Sequence, residues 1–426
     1  MKVGIIGAGF GGLSAGYYLA KQGVDVTIFE SDENPGGLAV GFSQPKWKWT
    51  MEKHYHHWFT NDNSVLGLAK EIGHNVVTIR PKTSTFIGGE IDQLDSPLTL
   101  LTFNKLPLTE RIRTGVIIGY LRYTNDWKSL EKITAEIFIK KYMGETSWKV
   151  LWEPLFVGKF QKYASQIPAS WFWARIKKRT QSLSYPEGGF LSFAVSLHKS
   201  VKKYKAKIFY KTPVIKIEKV KDLIEVKTLK KGYFFDKVIV TLPSYPFAKI
   251  TKGLSKDYVA NLLDLKGVGA VNLVLSLSNQ FLDDGTYWLN INASHFPFLA
   301  VVEHTNFMDK KFYNNEHLLY IGNYLPHEHE YFRMEGLGLL KEFYPYLKTI
   351  NPRFTEKWVN NIFLFKAPFA QPIIPLNYSE KVPSFETPIA GLYLCNIQQV
   401  YPWDRGTNYA VENGKKVADI MLKSKY

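Results

Sequence analysis

The chain has a single cysteine, Cys395, among 426 residues. That excludes an internal disulfide, a cysteine-based metal cluster and a thiol redox pair. It suits a reducing compartment, and a cytoplasmic protein is expected. Long apolar runs are missing too. Nothing approaches the ~18 consecutive apolar residues that cross a bilayer. The first apolar run is broken by Gly4 and Gly7, so it does not have the layout of a signal peptide. There is no internal repeat, low-complexity tract or disordered linker. Acidic residues are scarce in one window: residues 140–237 hold 22 Lys and Arg against 7 Asp and Glu, almost the whole of the net +16. Two readings stand. One is an anionic partner, namely a phosphorylated substrate, a nucleotide sugar or an anionic membrane face. The other is a lysine-biased, solvated surface, as at Lys199, Lys202, Lys203, Lys205 and Lys207. No nucleic-acid module accompanies the charge, so no nucleic-acid partner is expected.

What is present is a large apolar fraction, 45%, with 15% aromatic residues. The length suggests two or three domains with ample core. The most informative segment is the first 37 residues. An apolar run at 2–6 leads into Gly7-Ala8-Gly9-Phe10-Gly11-Gly12. A helical pattern reaches residue 22, a second apolar run fills 24–29, and the acid Glu30 follows. This is a strand–turn–helix–strand of the dinucleotide-binding kind. Gly7 permits the tight turn, Gly9 lets backbone touch a pyrophosphate, and Gly12 lets the helix lie close on the strand. The helix start aims free N–H groups and positive dipole at phosphates. Glu30 can accept from an adenosine ribose and would repel a 2′-phosphate, which argues against NADP. The pair Gly36-Gly37 after Glu30 points to FAD. Gly267-Val268-Gly269 lacks a third glycine, so no separate NAD(P)H domain is expected. Dioxygen or another acceptor would then reoxidise the flavin.

Along the chain, helices are expected at 63–73, 108–123, 130–142, 148–156, 331–349 and 408–422, with a hairpin over 81–97. Strands at 207–217, 223–228 and 233–241 read as a three-stranded meander, the run 238–242 being apolar enough for a buried parallel strand. Further strands are expected at 272–277, 286–292, 298–304, 318–324 and 391–395. The class is α/β. Residues 1–80, 181–245 and 365–426 form a discontinuous Rossmann-like nucleotide domain. It is interleaved with a mostly helical insertion or lid, 81–180, and a strand-rich α+β substrate domain, 246–364.

Several further segments match one family in order. They are Pro35-Gly36-Gly37-Leu38, Tyr185-Pro186-Glu187-Gly188-Gly189-Phe190, Pro213-Val214-Ile215-Lys216-Ile217, the strand 238–243, and Gly391-Leu392-Tyr393-Leu394 running on to Asp404-Arg405-Gly406-Thr407-Asn408-Tyr409. Together they resemble the flavin-dependent amine oxidase superfamily, the glutathione-reductase-2-like flavoproteins. That superfamily includes protoporphyrinogen oxidases, phytoene desaturases, monoamine oxidases and, more distantly, UDP-galactopyranose mutases. Many members carry Arg where this chain has Leu38. Segments 153–160, 167–176 and 367–372 resemble insertion and substrate-side segments of the oxidase-like and desaturase-like members. The resemblance implies non-covalent FAD held by Gly7, Ala8, Gly9, Phe10, Gly11, Gly12, Glu30, Ser31, Gly36, Gly37 and Leu38. It adds the Val214 backbone at the adenine, and Arg405, Gly406, Thr407 and Asn408 at the closing helix. A helix start there would stabilise a reduced, anionic flavin. Arg405 adds charge or pairs with Asp404.

Between Glu52 and Asp62 lies a histidine cluster, His54, His56 and His57. It resembles the histidine segment of UDP-galactopyranose mutases, with Phe59 in place of a second histidine. His56 is the candidate catalytic residue and flavin contact, as a neutral proton shuttle or donor. The spacing lacks the i, i+4 pattern of a metal site, and no metal is expected. Trp171, Trp173, Tyr185, Trp288, Phe369, Tyr401 and Trp403 are candidates for an aromatic cavity or plain core. Arg175 and Arg179, four apart, read as a clamp for a carboxylate or phosphate or as a solvated face. The stretch 108–123, with Arg111, Arg113 and Arg122, reads as an interfacial membrane helix or a buried lid helix.

The expected function is an FAD-dependent oxidoreductase that takes a hydride from an organic substrate, anionic or lipophilic, onto flavin N5. Peripheral membrane contact stays open. The alternatives are a non-redox isomerase of the UDP-galactopyranose mutase type, acting on a nucleotide sugar, and a catalytically silent flavoprotein scaffold.

Overall fold

The computed structural model describes residues 1–423. Five short strands form a parallel sheet in the order Lys207–Phe209, Asp25–Phe29, Lys2–Ile6, Lys237–Val240, Leu392–Leu394. Their near-continuous apolar sequences suit a sheet covered on both faces. One face (Val3, Ile5, Val26, Ile28, Ile239) packs under helices Phe10–Lys21, Phe190–Lys203 and Thr407–Lys423. The other (Ile6, Phe29, Val238, Val240, Leu394) packs on an antiparallel meander, Val214–Val220, Leu223–Thr228 and Gly232–Phe235. The first and last helices cross on glycine. A Cβ at Gly414 would stand 2.3 Å from the Gly11 carbonyl oxygen, and Ser14 Oγ donates to the Val411 carbonyl at 2.9 Å.

A second sheet has seven strands, in the order Val359–Pro372, Gly267–Leu277, His317–Leu325, Ala300–Glu303, Thr286–Ile291, Lys82–Ile87, Glu90–Gln93. All pairs are antiparallel except Thr286–Ile291 with Lys82–Ile87. Helix Gly336–Ile350 covers one face through Leu339, Leu340, Phe343 and Leu347. The opposite face meets the nucleotide-type layer, where Val274, Tyr287, Val302, Leu318 and Tyr320 share a core with Met51, Trp58 and Tyr185. A helical block, including Leu108–Tyr123, Ala135–Tyr142, Glu153–Phe160 and Ala169–Lys178, has its own core of Phe138, Phe156, Phe160, Trp171, Phe172 and Trp173. The fold class is thus α/β, a Rossmann-like layer interleaved with a strand-rich layer and a helical insertion.

The differences from the sequence reading have local causes. The run 207–217 is two strands: Lys207–Phe209 pairs in the parallel sheet, Lys211 turns with φ 49°, and the meander starts after Pro213. The run 233–241 also divides. Asp236 sits between its halves and accepts the Lys2 N–H at 2.6 Å, so Lys237–Val240 leaves the meander for the parallel sheet. The helix expected over 331–349 starts only at Gly336, after a separate turn at Glu330–Phe332. Val359–Pro372, a 14-residue edge strand, was not anticipated and runs across the 364/365 division.

Candidate functional site

The opening turn is built from backbone. Helix Phe10–Lys21 starts at Gly9 with no side-chain cap, so the N–H groups of its first turn have no side chain to donate to. A Cβ at Gly12 would lie 2.0 Å from the Gly7 carbonyl oxygen, so only glycine allows this approach. The Gly36-Gly37 turn lies directly against it. Gly36 N–H donates to the Ala8 carbonyl at 2.9 Å, and a Cβ at Gly37 would stand 3.1 Å from Gly9 Cα. Glu30 ends the second strand and faces the same turn. Its carboxylate accepts the Ala8 N–H at 2.6 Å, the Asp32 N–H at 2.9 Å and the Ser31 hydroxyl at 3.1 Å. Segment 209–214 runs alongside. Glu30 N–H donates to the Phe209 carbonyl and Thr212 N–H to the Glu30 carbonyl, both at 2.8 Å, which sets Val214 beside the acid. Leu38 is in the short turn Gly37–Ala39, partly exposed. A glycine cradle, unanswered N–H groups and one ribose-height carboxylate fit the adenosine diphosphate half of FAD.

The histidine loop and the closing turn are pinned to each other. Trp58 Nε1–H donates to Thr407 Oγ1 at 2.7 Å. Asn408 Oδ1 accepts the Ser64 and Val65 N–H groups at 3.0 and 3.1 Å, capping helix Asn63–Glu71. The Thr407 and Asn408 side chains are therefore committed to protein. What they leave for a ligand is the backbone N–H groups of the helix start, beside exposed Gly406. His54, His56 and His57 lie deep between the two sheets yet keep accessible surface, as groups lining a recess do. Burial lowers all three, His54 and His57 to about 3 and His56 to about 4, so all are neutral at pH 7. His56 Nδ1 lies 2.6 Å from the His54 carbonyl, which only accepts. The proton is therefore on Nδ1, and Nε2 carries the lone pair. His57 bonds Tyr287 OH at 3.2 Å, and His54 is tied to Asn272. Among the described residues no three His, Cys, Asp or Glu are grouped as a metal site.

Sequence reading missed the charged knot at the closing turn. Asp404 accepts from Trp171 Nε1 at 3.1 Å, Arg175 Nη1 at 3.2 Å, Lys159 Nζ at 3.3 Å and Gln371 Nε2 at 3.4 Å. Burial alone would raise its carboxyl, but Lys159, Arg175 and Arg405 outweigh that and hold it well below the usual carboxylate range. Lys159 is pushed well down by burial, against the pull of Asp404. Of the two readings of Arg405, the side-chain ion pair with its neighbour is not formed. Its backbone N–H donates to Asp404 at 3.1 Å, while its guanidinium goes to Gln371 Oε1 at 2.9 Å and to Tyr324 OH. Nor is Arg175 part of a merely solvated face, since it reaches across to Asp404. Lys159 and Gln371 lie in the segments 153–160 and 367–372 singled out by resemblance, but nothing local showed that they meet Asp404, and Tyr324 gave no signal at all. Of the aromatic candidates, Trp171, Trp173 and Tyr185 are core, while Trp288 packs edge-on to Tyr55 and His57 at the recess. Tyr185 donates to the buried Glu52, which also accepts the Phe190 N–H, at 2.9 Å each. Cys395 is buried, its thiol pushed up to about 12 by that burial.

The comparisons agree with this geometry. The family model described as flavin containing amine oxidoreductase matches residues 10–422. A zeta-carotene desaturase of Solanum lycopersicum is 29% identical over 36% of this chain, and the match covers only 30% of that relative's length. Among solved structures, a provisionally named protoporphyrinogen oxidase from Exiguobacterium sp. 255-15 superposes with TM-score 0.79 at 16% identity, covering 100% of this chain and 99% of the other. A reduced UDP-galactopyranose mutase superposes with TM-score 0.76 at 14% identity, covering 99% and 96%. At such identities these structures show the shared fold and nothing finer.

Proposed function

The chain belongs to the family of flavin containing amine oxidoreductases, and from that premise we propose that it is an FAD-dependent oxidoreductase acting on a small organic substrate. Bound FAD supplies the hydride acceptor for a substrate C–H bond. The observation that carries the reading is the uncapped start of helix Phe10–Lys21, pressed against the Gly36-Gly37 turn and faced by Glu30. In this reading the N–H groups of Gly9 to Gly12 bind the pyrophosphate. Glu30 takes the ribose hydroxyls, with Ser31 and Asp32 holding its second oxygen. Ala8, Gly36, Gly37 and Leu38 close over the phosphates, and Val214 meets the adenine.

At the other end, Arg405, Gly406 and the free N–H groups of Thr407 and Asn408 set positive potential where the reduced ring system is anionic. His56 presents an unprotonated Nε2 to the recess, fixed by its bond to the His54 carbonyl. It accepts a hydrogen bond or a proton from the substrate as the hydride leaves. The proposed attachment of FAD is non-covalent, and the one thiol, buried and held protonated, offers no cysteinyl link. A reducing cytoplasm is the proposed setting.

The test begins with the purified protein. Yellow material with about one FAD per chain, bleached anaerobically by a substrate from a metabolite panel, is the expected result. Colourless protein whose melting temperature added FAD does not raise would overturn the reading. Turnover only after prior reduction, with no net redox change, would replace it by the isomerase alternative.

A further inference from the structure

We propose that the recess beside the closing turn binds an anionic group of the substrate, a carboxylate or a phosphate, through Arg175, Arg179 and Lys159. This rests on the functional reading above, which gives the phosphates of FAD to the N–H groups of the opening turn. Four cations meet here: Lys159, Arg175, Arg179 and Arg405. Among the described residues Asp404 is the one carboxylate bonded to them, and it is saturated by Lys159, Arg175, Trp171, Gln371 and its neighbour's N–H. The Lys159 and Asp404 side chains are only 10% and 18% exposed, while Arg175 is 41% exposed and Arg179 is exposed too, so the buried pair carries two arginines that face open space.

Arg179 is the sharpest case. Among the described residues its guanidinium makes no hydrogen bond, ion pair or ring contact. It is packed deep in protein yet accessible, so it looks into open space. Asp95 is close enough to act on it but makes no ion pair with it; one Asp95 oxygen accepts from Gln93 and the other has no partner. Burial, and then repulsion by Arg175, lowers Arg179 to about 10. Cations gathered along one recess repel one another, and an arriving anion relieves that repulsion. Arg175 lies over the Trp171 ring at 5.1 Å, which fixes its plane while Asp404 holds one edge. Asp404 is a positioning residue for this clamp. A planar or tetrahedral oxyanion is the partner that such forks recognise.

The test uses FAD-loaded protein titrated with inorganic pyrophosphate, with glutarate, and with neutral glycerol, read by tryptophan fluorescence. A saturable response to pyrophosphate or glutarate and none to glycerol is expected, and the tighter anion tells phosphate from carboxylate. Arg179→Gln should weaken it roughly ten-fold or more, the worth of one charge-assisted bond. Arg179→Lys should recover most of that, with FAD content unchanged in both. No saturable response, or a response indifferent to Arg179→Gln in protein of normal FAD content, overturns the inference and leaves the flavin reading intact. Loss of FAD from the unaltered protein would instead sink that reading, and this inference with it.

We further propose, on a different observation, that helix Leu108–Tyr123 rests on an anionic lipid surface. Leu108, Ile112, Val116 and Tyr120 follow one another at i, i+4 and are 59%, 50%, 64% and 50% exposed. Tyr123 at 84% continues the row, and Leu98 at 71% on the adjoining helix Pro97–Thr102 widens it. A contiguous exposed row of this kind is unlike scattered surface apolars. The charge beside it is mostly positive, although Asp126 just past its end is exposed as well. The helix's only acid, Glu110, turns inward to accept the Ser147 N–H at 2.6 Å. Arg113 and Arg122, and Lys128, Lys132 and Lys141 nearby, are exposed. An apolar row flanked by cations complements anionic headgroups above an acyl boundary. A second copy docked two-fold on the same row would set these cations against each other. Among the described residues no helix is long and apolar enough to cross a membrane, so the contact lies along the surface.

Co-sedimentation with phosphatidylglycerol–phosphatidylcholine vesicles, and not with phosphatidylcholine alone, is expected, weakening as salt rises. The double variant Val116→Asp, Tyr120→Asp should bind at least about ten-fold less, with melting temperature and FAD content unchanged because both side chains are exposed. Absence of binding to the anionic vesicles, or a dimer that the double variant dissolves, would overturn the proposal.

Discussion

Two helix starts frame the recess, and they are made of opposite materials. At residues 7–12 glycine strips side chains away, and the helix Phe10–Lys21 begins with bare backbone. At residues 404–408 the turn is crowded. Asp404 gathers two cations, Arg405 is held by Gln371 and Tyr324, and the side chains of Thr407 and Asn408 point sideways into protein. The first start offers bare backbone N–H groups in a tight glycine cradle. The second sets an electrostatic potential and depends on residues from across the chain. A third start, that of Phe190–Lys203, has its acceptor built in, because buried Glu52 takes the Phe190 N–H. An unanswered helix start is thus a property of particular places in this fold and not of helices in general.

Substitutions can break or sharpen that contrast. Gly12→Val puts atoms where the Gly7 carbonyl stands, and should abolish FAD retention and cost about 3 kcal/mol or more in a thermal melt with flavin quantitation. Asp404→Asn leaves Lys159 and Arg175 unpaired and should destabilise by about 3 kcal/mol at pH 7 in denaturant titration. Because the Asp404 carboxyl is depressed, its contribution is present above the unfolded value near 4 and lost as pH falls below it. The variant should therefore show a flatter acid limb.

Glu52 has the opposite sign. Burial raises its carboxyl to about 7, so the stability it allows is complete near pH 4 and declines as pH rises toward 7. Glu52→Gln should match the parent near pH 4.5 and exceed it by about 3 kcal/mol at pH 8; a variant less stable at both values would refute the assignment. Glu30→Gln should weaken FAD binding about ten-fold in an equilibrium titration, by loss of charge-assisted bonds. Smallest, Trp58→Phe removes the N–H that meets Thr407 and should cost about 1 kcal/mol. Its FAD affinity should change less than that of Glu30→Gln, since the side chain holds the closing turn only indirectly.

The same contrast explains what could be read in advance. The opening unit was legible because every determinant is local: Gly7, Gly9, Gly12 and Glu30 act within one strand–turn–helix–strand. The closing helix was legible by its pattern, yet the roles of Thr407 and Asn408 side chains were not, because Trp58 and the helix at Asn63–Glu71 lie some 340 positions away in sequence. The knot at Asp404 joins residues 159, 171, 175, 371 and 404, and no window of sequence contains more than a part of it. Val359–Pro372 escaped notice because Pro368 and Pro372 argue against a strand. It is an edge strand, and its register against Gly267–Leu277 shifts between the partners of Val268 and Ala270, where Pro368 falls. The breaks at Lys211 and Asp236 were hidden inside patterns that alternate well enough to pass as single strands.

The strand Leu392–Leu394 and the helix after it complete a layer begun by the first six residues, and Asn408 caps a helix made much earlier. The layer is therefore closed from both sides, and a chain cut before residue 392 should be left open at the Asn63–Glu71 cap and pale, because the sheet and the helix that wall the recess need a strand and a side chain from far along the polypeptide.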